Sequence, residues 1–441
     1  MNIRYITSMM IKIFIFLTFL FARSFMGLSY YGVRLGEVLM AISAIVLVIY
    51  AVMLPIFKKK YFLDNKRMNI VIIILFISFF LVNILEQTDF LNLAIYKSSS
   101  YIWSLGGLIF GYNIASLIGF KIYEQDIYLS LLGLFIIYVF STRGISENLQ
   151  NVLLEHTDKF EYPKGSDLLL AFVFIFYILL ENKKYSKSSL LVLVSFSALY
   201  VPLFLVKSRS GFISLIIFLL LIIPKFKKID FKVDAFLLFS VILSILIFLM
   251  STSWVVSKDI VIDEEIDQEL KFAITSRYST INDNVYEEEV LNLNIFYFNE
   301  GRIFSSDGNL NWRLQIWQDI FIDMTSDNIL INGYGFSNII PAMDSDQRGG
   351  QDSQNVNVHN YFVHILSRGG FLHLILIGSL YYYLLRKFSN SNNKHKYLLI
   401  VLPLIFNSLF DPSMENSHYS IILYFLIGLA LKKPIILKEG N

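Results

Sequence analysis

Residues 190–222 read LLVLVSFSALYVPLFLVKSRSGFISLIIFLLLI, two apolar runs joined by the short polar turn Lys207-Ser208-Arg209-Ser210. A helix needs about 17 to 25 mostly apolar residues to cross a bilayer. Long apolar runs recur from one end of this sequence to the other. The quoted stretch is therefore interpreted as two membrane-spanning helices connected by a tight hairpin, and the other runs as further spans.

The composition of the whole chain agrees with a membrane location. Of its 441 residues, 55% are hydrophobic and only 16% are charged, and the mean hydropathy is +0.58. Soluble domains carry about 25% charged residues, so a soluble fold is excluded. The sequence contains no cysteine, which excludes disulfides and thiolate metal sites. We predict an all-α, polytopic membrane protein.

The apolar runs predict about twelve spans, and the basic residues orient them. The predicted span centres are residues 16, 46, 76, 110, 133, 174, 197, 217, 243, 372, 404 and 425. With a cytoplasmic N-terminus, the Lys and Arg clusters all fall in cytoplasmic loops, as the positive-inside rule requires. These clusters are Lys58–Lys60 with Lys66 and Arg67, Lys183–Lys187, Lys225–Lys232, Arg386–Lys396 and Lys432–Lys433. Both termini are therefore predicted to be cytoplasmic.

The same count divides the chain into three parts. Residues 1–253 are predicted to form spans one to nine, and residues 359–441 the last three spans with a cytoplasmic tail. Residues 254–358 are predicted to form one large external loop between spans nine and ten, with eighteen Asp and Glu against six Lys and Arg. Its acidic runs are explained more simply as solvated surface than as a metal site.

The second half of this loop shows helical periodicity. The apolar residues that recur at helical spacing are Trp312, Ile316, Ile320 and Met324. This spacing predicts an amphipathic helix lying across the membrane surface.

Two cations, Lys207 and Arg209, lie in the external hairpin, where the positive-inside rule disfavours them. One interpretation is that these side chains extend to the headgroups and cap a helix end. The other is a clamp for a phosphate. Ser208, Ser210 and Gly211 open the next helix, whose backbone N–H groups and dipole would face the same anion as Arg209.

Five further positions in or after the loop could carry chemistry. His359 lies where the polar loop meets an apolar run, and histidine can take a proton from a hydroxyl at neutral pH. The alternative is an interfacial aromatic residue. Arg313 lies between Trp312 and Leu314, which suits an interfacial anchor, an ion-pair partner or a ligand contact. Arg277, Arg302 and Arg348 face the same choice, and Arg348 is favoured as a ligand contact.

Several enzyme signatures are missing from the sequence. It has no Gly-rich nucleotide loop, no His-Glu-x-x-His, no serine nucleophile elbow and no acidic pair in the first external loop. Any group transfer by this chain would therefore be expected to use no metal or cofactor. Negative charge on a phosphate leaving group would then have to be met by Arg and Lys.

The order of these motifs resembles the O-antigen ligase and O-antigen polymerase superfamily of bacterial polysaccharide assembly. The resemblance covers roughly Val206 to Leu431. Its motifs are Lys207-Ser-Arg-Ser-Gly211, a large external loop, Asn311-x-Arg313-x-x-x-Trp317, Gly333-Tyr-Gly-Phe336, and His359-Asn360 before a helix with Gly369-Gly370. The family commonly carries an acid near this last Gly, whereas this chain has Arg368.

The resemblance implies a metal-independent, inverting glycosyltransferase at the periplasmic face of the bacterial inner membrane. Its donor would be an oligosaccharide on undecaprenyl diphosphate. Arg209, with Lys207 and with Arg313 or Arg348, would bind the diphosphate and stabilise it as leaving group. His359 would activate the acceptor hydroxyl, with Asn360 beside it in substrate binding.

The acceptor distinguishes the members of this superfamily. A polymerase transfers the glycan to another lipid-linked repeat unit, whereas a ligase transfers it to a lipid A core. The acidic loop and the divergent N-terminal half favour the polymerase. A flippase of the same pathway is a third alternative, although this chain shows no internal repeat and carries a long external loop. A chain-length regulator is left open as a protein partner.

Overall fold

The computed structural model describes residues 27–53, 63, 65–90, 92–117, 124–156, 163–182, 187–222, 224, 226, 235–262, 296–299, 301–305, 308–344, 358–390 and 394–432. Helices dominate this part of the chain, as predicted. They are α1 (Leu35–Met53), α2 (Lys66–Leu85), α3 (Leu93–Ser98), α4 (Ser100–Trp103), α5 (Leu105–Leu117), α6 (Glu124–Arg143), α7 (Glu147–His156), α8 (Gly165–Asn182), α9 (Lys187–Lys207), α10 (Arg209–Ile222), α11 (Ala235–Ile262), α12 (Gly308–Ser326), α13 (Tyr361–Asn390), α14 (Lys394–Ser408) and α15 (Ser417–Lys432). The strands of this part form two short antiparallel hairpins, β1–β2 (Ser29–Tyr30, Val33–Arg34) and β3–β4 (Phe296–Asn299, Arg302–Ser305).

The protein is a multi-pass membrane protein. Within the described residues, five helices are long and apolar enough to cross a bilayer, and a sixth candidate is the pair α6–α7, bent by 93°. Four shorter apolar helices lie in α8, α10, α14 and α15. Every predicted span centre from residue 46 to residue 425 falls within a helix, whereas the centre near residue 16 lies outside the described residues. The total of about twelve spans stays a prediction.

The chain divides into two compact units. Unit one takes its described residues from Met1–Leu81, Ser99–Val255 and Leu376–Asn441. Unit two takes them from Val82–Ser98 and Val256–Ile375. Each unit is considered by itself below.

In unit one, glycines bring α5 and α15 into backbone contact. A Cβ atom added at Gly107 would lie 2.5 Å from the Ile421 carbonyl oxygen, and one at Gly111 would lie 2.1 Å from that of Phe425. From the other helix, a Cβ at Gly428 would lie 2.2 Å from the Leu108 carbonyl oxygen. Small residues four apart permit this close approach, which drives helix association in lipid where the hydrophobic effect is absent.

This packing predicts opposite effects of the same substitution at two helical glycines. Gly111→Ala should destabilise the membrane domain, because its methyl group meets the Phe425 carbonyl. Gly378→Ala, in α13, meets nothing within 4 Å and should stabilise by about 0.5–1 kcal/mol, since alanine loses less backbone entropy in a helix. Thermal unfolding of the two detergent-solubilised variants measures the difference. A Gly111→Ala protein as stable as the parent would contradict the close contact.

In unit two, α12 packs on the β3–β4 hairpin and buries one apolar face. Ile316, Ile320 and Met324 are fully buried, which confirms the face predicted from their spacing. On the hairpin side, Arg302 forms an ion pair with Asp319 and donates Nη1 to Gln315 Oε1 at 3.1 Å. Arg302 is thus an ion-pair partner, one of the alternatives open for it in the sequence.

Candidate functional site

The cationic hairpin of unit one is a helix junction capped by serine. Helix α9 ends at Lys207 and α10 begins at Arg209, so Ser208 alone separates them. Ser208 Oγ accepts a hydrogen bond of 3.1 Å from the Gly211 amide, as an N-cap residue does. The Gly211 amide is one of the backbone donors predicted from the sequence to face an anion, and the cap already occupies it. Arg209 is exposed to solvent, as an anion-binding side chain must be.

Two neighbouring segments hold this hairpin in place. Lys207 donates Nζ to the Pro163 carbonyl at 3.3 Å, and Ser210 Oγ donates to Asn407 Oδ1 at 3.1 Å. Gly165 packs so closely that an added Cβ would lie 2.3 Å from Ser208 Cβ. The start of α8 and the end of α14 therefore fix the hairpin backbone.

Sequence reasoning missed a buried histidine–carboxylate pair in the same unit. His418 Nε2 lies 2.8 Å from Asp167 Oδ1, and the two side chains are only 7% and 5% exposed. Asp167 Oδ2 also accepts a hydrogen bond of 3.1 Å from the Lys164 amide. No motif spacing links residues 251 positions apart. The available signal was that each is a polar residue in the first turn of an apolar helix.

His359, in unit two, has an unusual backbone conformation. Its φ of +54° lies in the left-handed region, which costs about 1–3 kcal/mol for most residues other than glycine and is concentrated at functional sites. The neighbouring residues hold it there. Trp317 donates Nε1 to the Val358 carbonyl at 2.7 Å, and the Trp312 ring stands edge-on to the imidazole with centroids 5.1 Å apart. The imidazole is thus packed against Trp312, and the carbonyl before it is hydrogen-bonded to Trp317.

Asn360 caps the helix that follows. Its Oδ1 accepts hydrogen bonds from the amides of Phe362 at 2.9 Å and Val363 at 3.1 Å. This cap satisfies two of the orphan N–H groups of α13. Because these two hydrogen bonds occupy the side-chain oxygen, Asn360 would contact a substrate through its Nδ2 group.

The predicted site residues fall in both units. Lys207 and Arg209 belong to unit one, whereas Arg313, His359 and Asn360 belong to unit two. Arg313 is half-buried near the start of α12, directly after the Trp312 that contacts His359. Arg348 lies outside the described residues.

The Gly-Tyr-Gly-Phe segment pairs with a break in α13. Gly370 interrupts the helix with φ 63° and ψ −168°. The Ser367 and Arg368 carbonyls accept hydrogen bonds from the Tyr334 amide at 2.7 Å and the Gly335 amide at 3.0 Å. Backbone groups freed inside a membrane protein must be satisfied by such neighbours, so the loop and the break require each other.

Arg368 lies near the position where the resemblance predicts an acid, and it binds the same loop. This buried side chain donates Nη1 to the Asn338 carbonyl at 2.5 Å and to the Gly335 carbonyl at 3.3 Å. A carboxylate could donate to neither carbonyl when ionised. Arg368 therefore holds the loop in this chain.

Glu86 packs against the other side of the loop. Its Oε2 accepts a hydrogen bond of 3.0 Å from Ser337 Oγ. Gly335 has φ +77°, and a Cβ added there would lie 1.3 Å from Glu86 Oε1. Glycine at this position thus meets both a conformational and a steric requirement.

The collision with Glu86 predicts that alanine destabilises the protein more at Gly335 than at Gly301, a glycine of similar φ. Gly335→Ala and Gly301→Ala both place alanine at a φ near +78° and should lose about 1–2 kcal/mol to strain. Only Gly335→Ala also displaces Glu86, since Gly301 has nothing within 4 Å. Stability measurements on both variants separate strain from collision. Glu86→Ala should restore part of the loss at Gly335, and equal losses at the two glycines would contradict the packing.

The surroundings of Tyr334 disfavour a role as general base. Burial raises its pKa to about 12, with a further contribution from the negative charges of Asp323 and Asp327. Its hydroxyl is therefore protonated at neutral pH, and the ring packs into the apolar cluster beneath α12.

One comparison with known proteins matches this chain. Residues 194–378 match the family model described as O-antigen ligase. The matched segment is less than half of the chain, and it contains every predicted site residue, Arg348 included. The predicted resemblance is thereby confirmed, although the match ends well before Leu431. No curated protein matches the chain.

Proposed function

We propose, from the match of residues 194–378 to the O-antigen ligase family, that this membrane protein polymerises O-antigen or a related surface polysaccharide. It transfers a glycan from undecaprenyl diphosphate to a sugar hydroxyl of another lipid-linked repeat unit. The observation that carries the proposal is that one family match includes both the cationic hairpin and the constrained His359.

The residues suit an inverting transfer that needs no metal. Arg209, supported by Lys207 and by Arg313 or Arg348, stabilises the diphosphate as it leaves, because charge that develops on a leaving group is best met by fixed cations. His359 takes the proton of the acceptor hydroxyl as that oxygen attacks the anomeric carbon. The constrained backbone of His359 supports this role, since it orients the imidazole before substrate binds.

The chemistry requires a location where lipid-linked glycans are exposed, which we take to be the periplasmic face of the inner membrane. Residues 254–358 then form the large periplasmic loop, and both termini are cytoplasmic. A reporter enzyme that is active only in the periplasm, fused after residue 300, should be active. Activity of a cytoplasm-specific reporter at that position would overturn the proposed orientation.

Loss of the gene distinguishes the polymerase from a ligase, the alternative that the family description itself favours. If a polymerase is lost, gel electrophoresis of the surface glycan should show a lipid A core bearing a single repeat unit. If a ligase is lost, the core should be bare and polymer should accumulate on the lipid carrier. An unchanged ladder of chain lengths would contradict both activities.

A further inference from the structure

The Asp167–His418 pair of unit one is buried between membrane helices. The side chains are 5% and 7% exposed, and their atoms Oδ1 and Nε2 lie 2.8 Å apart. Ionisable groups in such surroundings are costly unless they are hydrogen-bonded, and they usually mark a functional requirement. Both residues lie outside the segment that matches the family. The family match therefore assigns them no role.

Short contacts connect this pair to the cationic hairpin. The Asp167 carboxylate accepts a hydrogen bond from the Lys164 amide and so shapes the turn before α8. The neighbouring residue Pro163 accepts the hydrogen bond of Lys207 Nζ. Gly165, in the same turn, packs directly on Ser208. A shift of this turn would therefore displace the residues on both sides of the Lys207–Arg209 junction.

His418 joins the Asp167 turn to a closely packed pair of helices. It lies in the first turn of α15, which packs against α5 through backbone contacts at glycines. Asn407, at the end of α14, holds the hairpin from the other side through Ser210. The hydrogen bond between His418 and Asp167 thus ties that turn to the closely packed α5–α15 pair.

We propose that Asp167 and His418 are a positioning pair that holds the cationic hairpin in its phosphate-binding conformation. This inference rests on the proposed function, because the hairpin matters through Arg209 and the diphosphate. The pair acts through the turn at residues 163–167 and does not itself contact the substrate. Its loss should therefore weaken diphosphate binding and slow the transfer, while the membrane fold is kept.

The test compares conservative with disruptive substitutions in the full-length protein. His418→Ala removes the hydrogen-bond donor, whereas His418→Gln keeps an N–H group that can reach Asp167. His418→Ala and Asp167→Ala should lower kcat by roughly ten- to hundredfold, the range expected when a catalytic group is misplaced by about 1 Å. His418→Gln should restore most of the activity. His156→Ala, an exposed histidine at the end of α7, is the matched control and should behave as the parent.

A double substitution with Arg209 separates positioning from general structural support. If the pair acts through Arg209, then His418→Ala should add little to the loss already caused by Arg209→Ala, because coupled residues are not additive. Equal losses of activity in both backgrounds would overturn the proposal. So would a His418→Gln variant as impaired as His418→Ala.

Binding of undecaprenyl diphosphate to the protein in nanodiscs distinguishes this inference from the proposed function. A parent protein that neither binds this lipid nor transfers glycans would refute the proposed function, and the inference with it. A parent that binds and transfers, with His418→Ala binding equally well, would refute the positioning pair alone. The expected result is tight binding by the parent and His418→Gln, and at least tenfold weaker binding by His418→Ala.

Discussion

Replacing His359 by asparagine should lower the turnover of lipid-linked oligosaccharide by about 10²- to 10⁴-fold, the usual contribution of a general base. Asparagine is chosen because the backbone of His359 is left-handed, at φ +54°. Among residues with a Cβ, asparagine enters this region comparatively easily. The substitution therefore keeps the conformation and removes the group that accepts a proton. Turnover by purified protein, normalised to folded protein, measures the effect.

The matched control is Tyr31→Asn, another non-glycine residue of positive φ, at +51°. Tyr31 is 90% exposed in the β1–β2 turn, so its replacement should leave turnover unchanged. His359→Ala should lose activity too, but part of its loss could come from backbone strain. A His359→Asn protein with near-parental turnover would remove histidine from the mechanism and leave it the role of an interfacial aromatic residue.

The contact with Trp312 indicates how helix α12 positions His359. The indole ring stands edge-on to the imidazole at 73°, and Trp317 fixes the preceding carbonyl. Both tryptophans lie on α12, whose buried apolar face holds the helix in unit two. Trp312 and Trp317 therefore connect the packed helix α12 to His359 and to the carbonyl before it. Through these contacts the amphipathic helix α12 positions His359.

Helix positions were predictable from the sequence because lipid imposes a local rule. A span must be apolar over a length set by the bilayer. The centres predicted at residues 46 and 425, for example, therefore fall inside α1 and α15. The buried face of α12 was predictable for a similar reason, since Ile316, Ile320 and Met324 recur with the period of a helix.

Contacts between distant segments were not predictable, because no local period encodes them. Asp167 and His418 are 251 residues apart, and Glu86 meets Gly335 across a similar separation. The role of Arg368 could not be predicted from the sequence, because the family resemblance predicted an acid near this position. Its two hydrogen bonds to the loop carbonyls supply the reason for an arginine. The same applies to Asn360, whose capping role depends on where α13 begins.

Replacing Arg209 by alanine should reduce turnover by about 10²- to 10³-fold, as when one donor to a developing negative charge is removed. The side chain is exposed at the start of α10, so its removal should change the stability of the fold little. Arg209→Lys should retain part of the activity. Lysine keeps the charge but loses the planar pair of N–H donors with which arginine binds phosphate oxygens.

A matched control is Arg67→Ala, which removes another exposed arginine from the first turn of a membrane helix, α2. Arg67 belongs to the cluster predicted on the cytoplasmic side, so its loss should not affect turnover. Affinity for undecaprenyl diphosphate should fall with Arg209→Ala and become less sensitive to salt, because one charge contact is removed. Normal turnover and an unchanged salt dependence in Arg209→Ala would show that the hairpin cations are headgroup anchors, the alternative that the sequence left open.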